Sequence, residues 1–517
     1  MGQGWEQELT GLLNAQLKHR PLMRVQDLYK LLYQREFGCG HLAPALETAV
    51  IGLQNEAIQA AGLKNAYQLA DRSDSDTLPG TVEPIGNGLC RVYLDGVWSK
   101  ETLRLFARIF CASARTHTGE NARFTAALRF LIRWADGMLP GTELSALRQM
   151  LDTAETDVNG FSAVHHSEAY RAAYAPHYRV VRQCYIDAWP ALLLAQRTRE
   201  YASLAAPALL AVDGRCGSGK STLAQHIAEV LECPVFHLDD FFLPPALRTE
   251  ERLSQPGENV HHERFLEEIL QPFHAGRTVR FCPFDCSTCT LGNAVEVSPT
   301  PFAVAEGSYA LHPALRGYYA ASLFVTCTPE VQRARIAARS GQDALRVFEA
   351  KWIPLEETYF AAYDIPALAD RILDTSDAAD RADPDAANTA DRLDRQALIL
   401  RLQKLPFSEK EYWVVGGGAM VLYGFRSQTR DIDLGCSTLL ADQLERQGYS
   451  VSLCSDGTRK IMYSEKIEFF ENWLEDTVEN ICGVPVVSVD GLIQMKKKLG
   501  REKDLLDIAL IQKQKAR

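Results

Sequence analysis

The stretch GRCGSGKS, residues 214–221, constrains this chain more than any other. It follows an apolar run, residues 208–213, that reads as a buried strand, and it precedes TLAQHIAEVL, whose apolar residues recur at helical spacing. A strand that feeds a glycine loop and then a helix N-terminus presents backbone N–H groups and the positive end of a helix dipole to an anion. Gly214, Gly217, Ser218, Gly219, Lys220, Ser221 and Thr222 are therefore expected to cradle the phosphates of a nucleoside triphosphate, with Lys220 reaching the β- and γ-phosphates and Ser221 ligating Mg2+. A glycine-rich surface turn is the competing reading. The register of Gly214, Gly219, Lys220 and Ser221 between strand and helix argues against it.

At 517 residues the chain exceeds what one hydrophobic core accommodates, and about three domains are expected. With 46% hydrophobic and 23% charged residues the composition is that of an ordinary soluble protein. The net charge of -11 argues against a general nucleic-acid-binding role, which needs clustered Lys and Arg. The opening GQGWEQELTGLLNAQL is polar and amphipathic rather than signal-like, and no run of about 18 apolar residues is present to span a bilayer. A cytoplasmic location without a membrane partner is expected. The thirteen cysteines, scattered without a repeated spacing, read as reduced thiols.

Residues 1–200 read as mostly helical, as in VQDLYKLLYQREF and ETLRLFARIFCASART, with one short β-like interruption at EPIGNGLCRVYLDG. Two polar clusters stand out: FGCGHLAP around His41, and VHHSEAYRAAYAPHYRVV with His165, His166, Glu168, Arg171, His177 and Arg179. Helical spacing puts His165, Glu168 and Arg171 on nearby faces, which suits a substrate pocket or equally a solvated or interdomain surface. A zinc site is disfavoured, because His165 and His166 point to different sides of a helix and no cysteine pair lies beside them.

From residue 203 to 376 the pattern is strand, loop, helix, strand, helix, which predicts a doubly wound α/β domain with a parallel sheet. VFHL reads as a second buried strand ending at Asp239 and Asp240, PFAVAEGSYAL as a third ending at Glu306, and SLFVTCT as a fourth leading into an arginine-bearing helix. Carboxylates at the C-terminal ends of such strands lie where an open parallel sheet places its chemistry.

The order of GRCGSGKS, LDDFF, FDCST, AEG and the arginine helix resembles the uridine kinase and phosphoribulokinase-like branch of P-loop kinases, over some 170 residues. The resemblance implies ATP-dependent phosphorylation of a hydroxyl on a small molecule. It makes Asp239 the base and substrate ligand, Glu306 the acid that helps to position Mg2+ and water, and Arg333, Arg335 and Arg339 a mobile lid that neutralises the phosphates. Asp240, Phe284 and Asp285 fall on the acceptor side. Uridine kinases continue the Phe-Asp motif with a histidine and an arginine that read the nucleoside, whereas Cys289 and Leu291 stand near those places here, so the resemblance extends to a nucleoside or sugar-like acceptor and no further. Cys282, Cys286 and Cys289 have no evident fourth ligand and read as ordinary thiols rather than a metal site. KWIPLEETYFAAYDIP either closes over a substrate or packs the last helix onto the sheet.

Residues 377–395, Ala/Asp-rich and poor in large apolar groups, read as a linker. In residues 396–517, WVVGGGAMVLYGFRSQTRDIDLG resembles the nucleotidyltransferase superfamily. Asp431 and Asp433, one residue apart on a strand, share a face and could jointly bind Mg2+ and a nucleoside triphosphate, with Glu468 as the third carboxylate and Gly417 and Gly418 letting backbone approach the phosphates. A domain that keeps this fold only to bind or regulate is the alternative. Lys496, Lys497, Lys498, Arg501 and Lys503 predict a terminal helix with a positive edge.

The expected whole is a multidomain α/β chain: a mostly helical N-terminal region, a P-loop kinase domain, and a small α+β nucleotidyltransferase-like domain. Its expected partners are ATP and a small-molecule acceptor. Two other readings stay open, a nucleotidyltransferase acting through the C-terminal domain with the P-loop as a nucleotide sensor, and a non-catalytic ATP-gated binding protein.

Overall fold

The computed structural model describes residues 4–38, 45–62, 69–136, 141–156, 165–285, 290–376, 393–403, 405–426, 428–429, 431–454, 457–464, 466–474, 476–499 and 502–515. His41, Cys286, Cys289, Arg501 and most of the Ala/Asp-rich segment lie outside them. The chain divides into two compact units, Met1–Pro384 and Asp385–Arg517.

The first unit opens with amphipathic helices, among them Val25–Phe37, Leu46–Ala60, Lys100–Thr116 and Asn121–Ala135. Helix Lys100–Thr116 is typical: Ser99 caps its N-terminus by accepting from Thr102 N at 3.2 Å, and Leu103, Phe106, Ile109 and Phe110 form its buried stripe. The β-like interruption is a hairpin, Val82–Gly86 and Leu89–Tyr93, reversed at Asn87 and Gly88, whose φ angles of 52° and 69° match the strand twist. Its third strand is Tyr178–Arg182, antiparallel to Leu89–Tyr93. This corrects the helical reading of residues 165–179: His165 and His166 precede a short helix, Glu168–Tyr174, and Arg179 lies on a strand. Five residues of β pattern beside helices carry no local cue, because their partner strand lies some 90 residues earlier.

Among the described residues, a five-stranded parallel sheet follows, in the order Arg371–Asp374, Ala321–Thr326, Ala208–Gly214, Phe302–Glu306, Val235–His237. The central strand, Ala208–Gly214, is buried along its whole length, which is why it reads as one unbroken apolar run. Alternation sends Leu210, Val212, Val304, Leu323 and Val325 to one face, where they share a continuous core with the N-terminal helices and with Leu223 and Ile227 of helix Lys220–Leu231. Leu209, Ala211, Ala303, Ala305 and Phe324 face the other side, against Phe236, Phe265 and Tyr359.

Among the described residues, the second unit holds a seven-stranded mixed sheet centred on Ile432–Cys436, which pairs parallel with Ile467–Glu471 and antiparallel with Tyr412–Val414. Leu393–Asp394, counted with the linker from composition, pairs with Gln428–Thr429. The terminal basic run is two helices, Val489–Leu499 and Glu502–Lys515. Lys496 is buried against Asp504 and Asp507, at 3.5 and 2.6 Å, so it ties the two helices together instead of adding to a positive edge; Lys497 and Lys498 are exposed.

Candidate phosphate-binding site

The strand Ala208–Gly214 ends where only glycine fits. Gly214 has φ 141°, and a Cβ there would stand 2.0 Å from the Val325 carbonyl oxygen of the neighbouring strand. The loop then turns through Gly217 and Gly219, both at positive φ, and Gly219 caps helix Lys220–Leu231. Lys220 lies along the loop, its Nζ donating to the carbonyls of Gly214 and Arg215 at 2.9 and 3.0 Å. Thr222 stands in the first turn of the same helix.

Three other elements hold the loop. From helix Ile353–Tyr363, Glu357 accepts two bonds from Arg215, at 2.7 and 3.0 Å, and Glu356 accepts from Cys216 N and Ser308 Oγ, at 2.8 and 2.5 Å. From helix Pro329–Ser340, Gln332 donates to Cys216 O at 2.8 Å. Thr375 Oγ1, beyond the edge strand, donates to Ser218 O at 2.7 Å. Glu356 and Glu357 belong to the stretch read as a substrate cover or a packing helix; they buttress the loop instead.

The arginines of helix Pro329–Ser340 make different contacts. Arg335 is tied down, donating to Thr375 Oγ1 and O at 2.8 and 2.7 Å and lying 3.4 Å from the carbonyls of Gly217 and Ser218. Arg333 pairs with Glu349 at 2.8 Å, and Arg339 lies over the Phe348 ring.

The acidic side of the site forms where Phe302–Glu306 and Val235–His237 run in parallel, with Glu306 directly opposite His237. Glu306 is buried and accepts from Ser221 Oγ at 3.2 Å and from His237 Nδ1 at 2.5 Å. Burial pushes the His237 imidazole down, but its bond to Glu306 and the charges of Glu306, Asp240 and Asp239 outweigh this and raise it. A 3-10 turn, Leu238–Phe241, then presents Asp239 and Asp240 at the sheet's C-terminal edge. Lost hydration in the cleft raises the Asp239 carboxyl, with Glu306 adding to the effect and Lys220 opposing it. Asp240 is raised for the same first reason. A hydroxyl and a carboxylate side by side, Ser221 and Glu306, are the oxygen donors that a hard cation such as Mg2+ takes.

Residues 257–262 run beside this turn, where His261 N donates to Phe241 O at 2.7 Å and Val260 bridges Phe242. Glu258, His262 and His312 gather here with their ligand atoms within 4.8 Å of one another. Ala314 N donates to His312 Nδ1 at 3.2 Å, while His312 Nε2, 3.5 Å from Glu258 Oε1, and His262 Nδ1 make no hydrogen bond among the described residues; burial, first, pushes the His312 imidazole down to about 4. Phe284 is buried in a short hairpin, Phe284–Asp285 with Thr290–Leu291, while the side chain of Asp285 lies outside the described residues. Cys282 is a free thiol.

In the second unit, Asp433 stands directly across from Glu468 on the parallel neighbour, and Asp431 immediately precedes the strand. Lys460 pairs with Glu468 at 2.8 Å. A Cβ on Gly416, at φ 57°, would come within 2.5 Å of Asp433 Oδ2, and one on Gly417 within 3.9 Å of Asp431 Oδ1, whereas Gly418 packs on Val414. The glycines beside the carboxylates are thus Gly416 and Gly417, one position earlier than expected.

No protein-family model and no curated protein sequence matches the chain. Among solved structures it is similar to one described as a possible uridine kinase from Bacillus stearothermophilus, at 19% identity over 34% of this chain and 94% of that one, with a TM-score of 0.27. It is also similar to a D-glycerate 3-kinase from Cryptococcus neoformans var. grubii, at 14% identity over 34% of this chain and 86% of that one, with a TM-score of 0.25.

Proposed function

We propose that the first unit is a phosphotransferase that moves the γ-phosphoryl group of ATP to a hydroxyl of a small nucleoside- or sugar-like molecule. The observation that carries this reading is the meeting of Ser221, Glu306 and His237 at the sheet's C-terminal edge, between the phosphate loop and Asp239. Lys220 and the loop N–H groups hold and orient the phosphates, and Arg335 keeps the loop in shape through Thr375. Asp239 orients the acceptor hydroxyl and takes its proton as the new O–P bond forms and the bridging P–O bond breaks, its electron pair leaving with ADP. Ser221 and Glu306 would hold Mg2+, which would supply charge neutralisation on the phosphates. Full-length protein with Mg2+ and ATP, screened against nucleosides, sugars and sugar acids, is expected to form ADP only when a suitable acceptor is present. Lys220→Ala and Asp239→Asn lose that activity. Acceptor-independent hydrolysis that survives Lys220→Ala refutes the reading.

The pairing of Asp433 with Glu468 beside Gly416 and Gly417 favours a second reading for the other unit, nucleotidyl transfer with release of pyrophosphate. Transfer of a labelled α-phosphate that disappears in Asp433→Asn supports it; a signal unchanged in that variant counts against it.

A further inference from the structure

Buried polar atoms nearly always have a hydrogen-bond partner, so a pair without one, side by side, calls for a physical reason. His312 is 5% exposed and its Nε2 has no partner; His262 Nδ1, also buried, has none among the described residues.

The fold brings these two atoms together from separate segments. His312 lies in the loop after strand Phe302–Glu306, where Tyr309 N and Leu311 N donate to Asp213 and His312 N donates to Tyr309 O at 3.0 Å. Glu258 and His262 belong to the segment that His261 N ties to Phe241 O. Gly257, at φ 81°, lets this segment pass close against the loop, since a Cβ there would stand 2.9 Å from His312 Cδ2. The two imidazoles then stack, with ring centroids 4.2 Å apart and planes inclined by 22°.

Glu258 completes a set of three. Its Oε1 lies 3.5 Å from His312 Nε2 and its Oε2 3.7 Å from His262 Nδ1, and one ligand atom from each residue falls within 4.8 Å of the other two. Atoms bound at about 2.0–2.2 Å to one tetrahedral ion stand roughly 3.3–3.6 Å from one another, so small side-chain rotations close the set around an ion. Arg252 approaches Glu258 through Oε2, at 3.3 Å, and is itself held by Glu263 Oε2 at 2.8 Å and by the Glu258 carbonyl at 3.1 Å. Glu263, 3.7 Å from His262 Nδ1, is engaged by that arginine and by His261 Nδ1 at 3.1 Å. Glu258 Oε1, the oxygen nearer His312, is left to face the histidines. Coordination through Nε2 places the ring hydrogen of His312 on Nδ1, and the 3.2 Å bond from Ala314 N is given up; Ala314 is exposed to water. Two imidazole nitrogens and one carboxylate suit zinc, whereas Ser221 and Glu306 offer the oxygen donors that Mg2+ takes.

We propose that Glu258, His262 and His312 form a Zn2+ site, separate from the phosphate loop, with a water in the fourth position. The ion fastens the loop that caps Asp213 to the segment beside the turn carrying Asp239 and Asp240. Full-length chain stripped of metal with a chelator and titrated with Co2+ alone, without nucleotide, tests this by absorption. One equivalent binds with the d–d bands of a four-coordinate ion and without the thiolate-to-cobalt charge-transfer band that the cysteines would give; one equivalent of Zn2+ displaces it and excess Mg2+ does not. Glu258→Gln and His262→Gln, both at partly exposed positions, each weaken binding about tenfold or more. Zinc-edge X-ray absorption on the parent protein, independent of any variant, shows nitrogen and oxygen neighbours at about 2.0–2.2 Å with imidazole scattering and no sulfur. Absence of Co2+ binding, a sulfur shell, binding that either variant leaves unchanged, or binding lost in Glu306→Gln but kept in His262→Gln overturns the proposal.

Discussion

Asp213, the last side chain before the loop, offers a direct test of how burial and hydrogen bonding balance in this site. It has no exposed surface and accepts four bonds: Gly214 N and Tyr309 N reach Oδ1 at 2.6 and 3.2 Å, and Leu311 N and the Tyr359 hydroxyl reach Oδ2 at 2.8 and 2.9 Å. Burial outweighs these bonds and the charge of Lys220, and pushes the carboxyl up from 3.8 to about 6. Between those values the folded chain keeps a proton that the unfolded chain has released. Stability is therefore lost as pH rises through this window, and the loss is complete above it. At about 1.4 kcal/mol per pH unit, the gap amounts to about 3 kcal/mol. Asparagine is the neutral isostere and stands in for the protonated acid at every pH. The amide differs in one respect: its NH2 group, on the Oδ2 side, has two hydrogens and no lone pair to offer, so the Tyr359 hydroxyl can turn to accept from it but Leu311 N loses its acceptor, at a cost of about 1–3 kcal/mol at every pH. Asp213→Asn is accordingly expected to be less stable than the parent near pH 4 and to gain up to about 3 kcal/mol relative to it by pH 7. Urea unfolding followed by far-ultraviolet circular dichroism, with both proteins compared at each pH, measures the difference. A variant that is less stable by the same amount at every pH would falsify the reasoning, since it would mean that the four donors keep the carboxylate ionised well into the acid range.

Three further outcomes follow from the same geometry. The raised Asp239 carboxyl must be ionised to accept a proton, so turnover falls as pH drops through a value above the ordinary 3.8; His237→Gln, which removes a cation that pulls Asp239 down, moves this acid limb to higher pH, and an unmoved limb speaks against Asp239 as the base. Arg335→Ala unties Thr375 and the loop carbonyls, costing about 1–3 kcal/mol of stability and weakening nucleotide affinity in equilibrium binding. If turnover falls while affinity is kept, Arg335 instead acts on the phosphates directly. Gly214→Ala drives a Cβ into the Val325 carbonyl from a strained φ and is expected to cost about 3 kcal/mol or more, read as a lowered melting temperature; an unchanged melting temperature rejects the close approach.

What could be read locally was read well where one element carries both the pattern and the residue. The apolar run 208–213, the glycines after it and the helical period beyond it announce strand, loop and helix without help from elsewhere, and with them the positions of Lys220 and Ser221. Asp239 and Glu306 were legible for the same reason, since each closely follows or ends its own apolar strand. The short strand Tyr178–Arg182 was not, because a β pattern of five residues becomes a strand only when its partner arrives.

By itself, then, the sequence determined the phosphate loop, the strands that flank it and the carboxylates at their ends, because backbone freedom and apolar periodicity act over a few residues. Tertiary structure alone decided what those carboxylates meet. His237 faces Glu306 because their strands are neighbours in register, Glu356 and Glu357 reach the loop from about 140 residues away, and Arg335 is tied to Thr375. The same holds for a chain of bonds that runs from Arg91 through Gln34, Tyr178 and His166 to Asp27, whose members are scattered from residue 27 to residue 178. Hydrogen bonds and charges choose partners by distance in space, and no local spacing records which distant residues the sheet order and the shared core bring together.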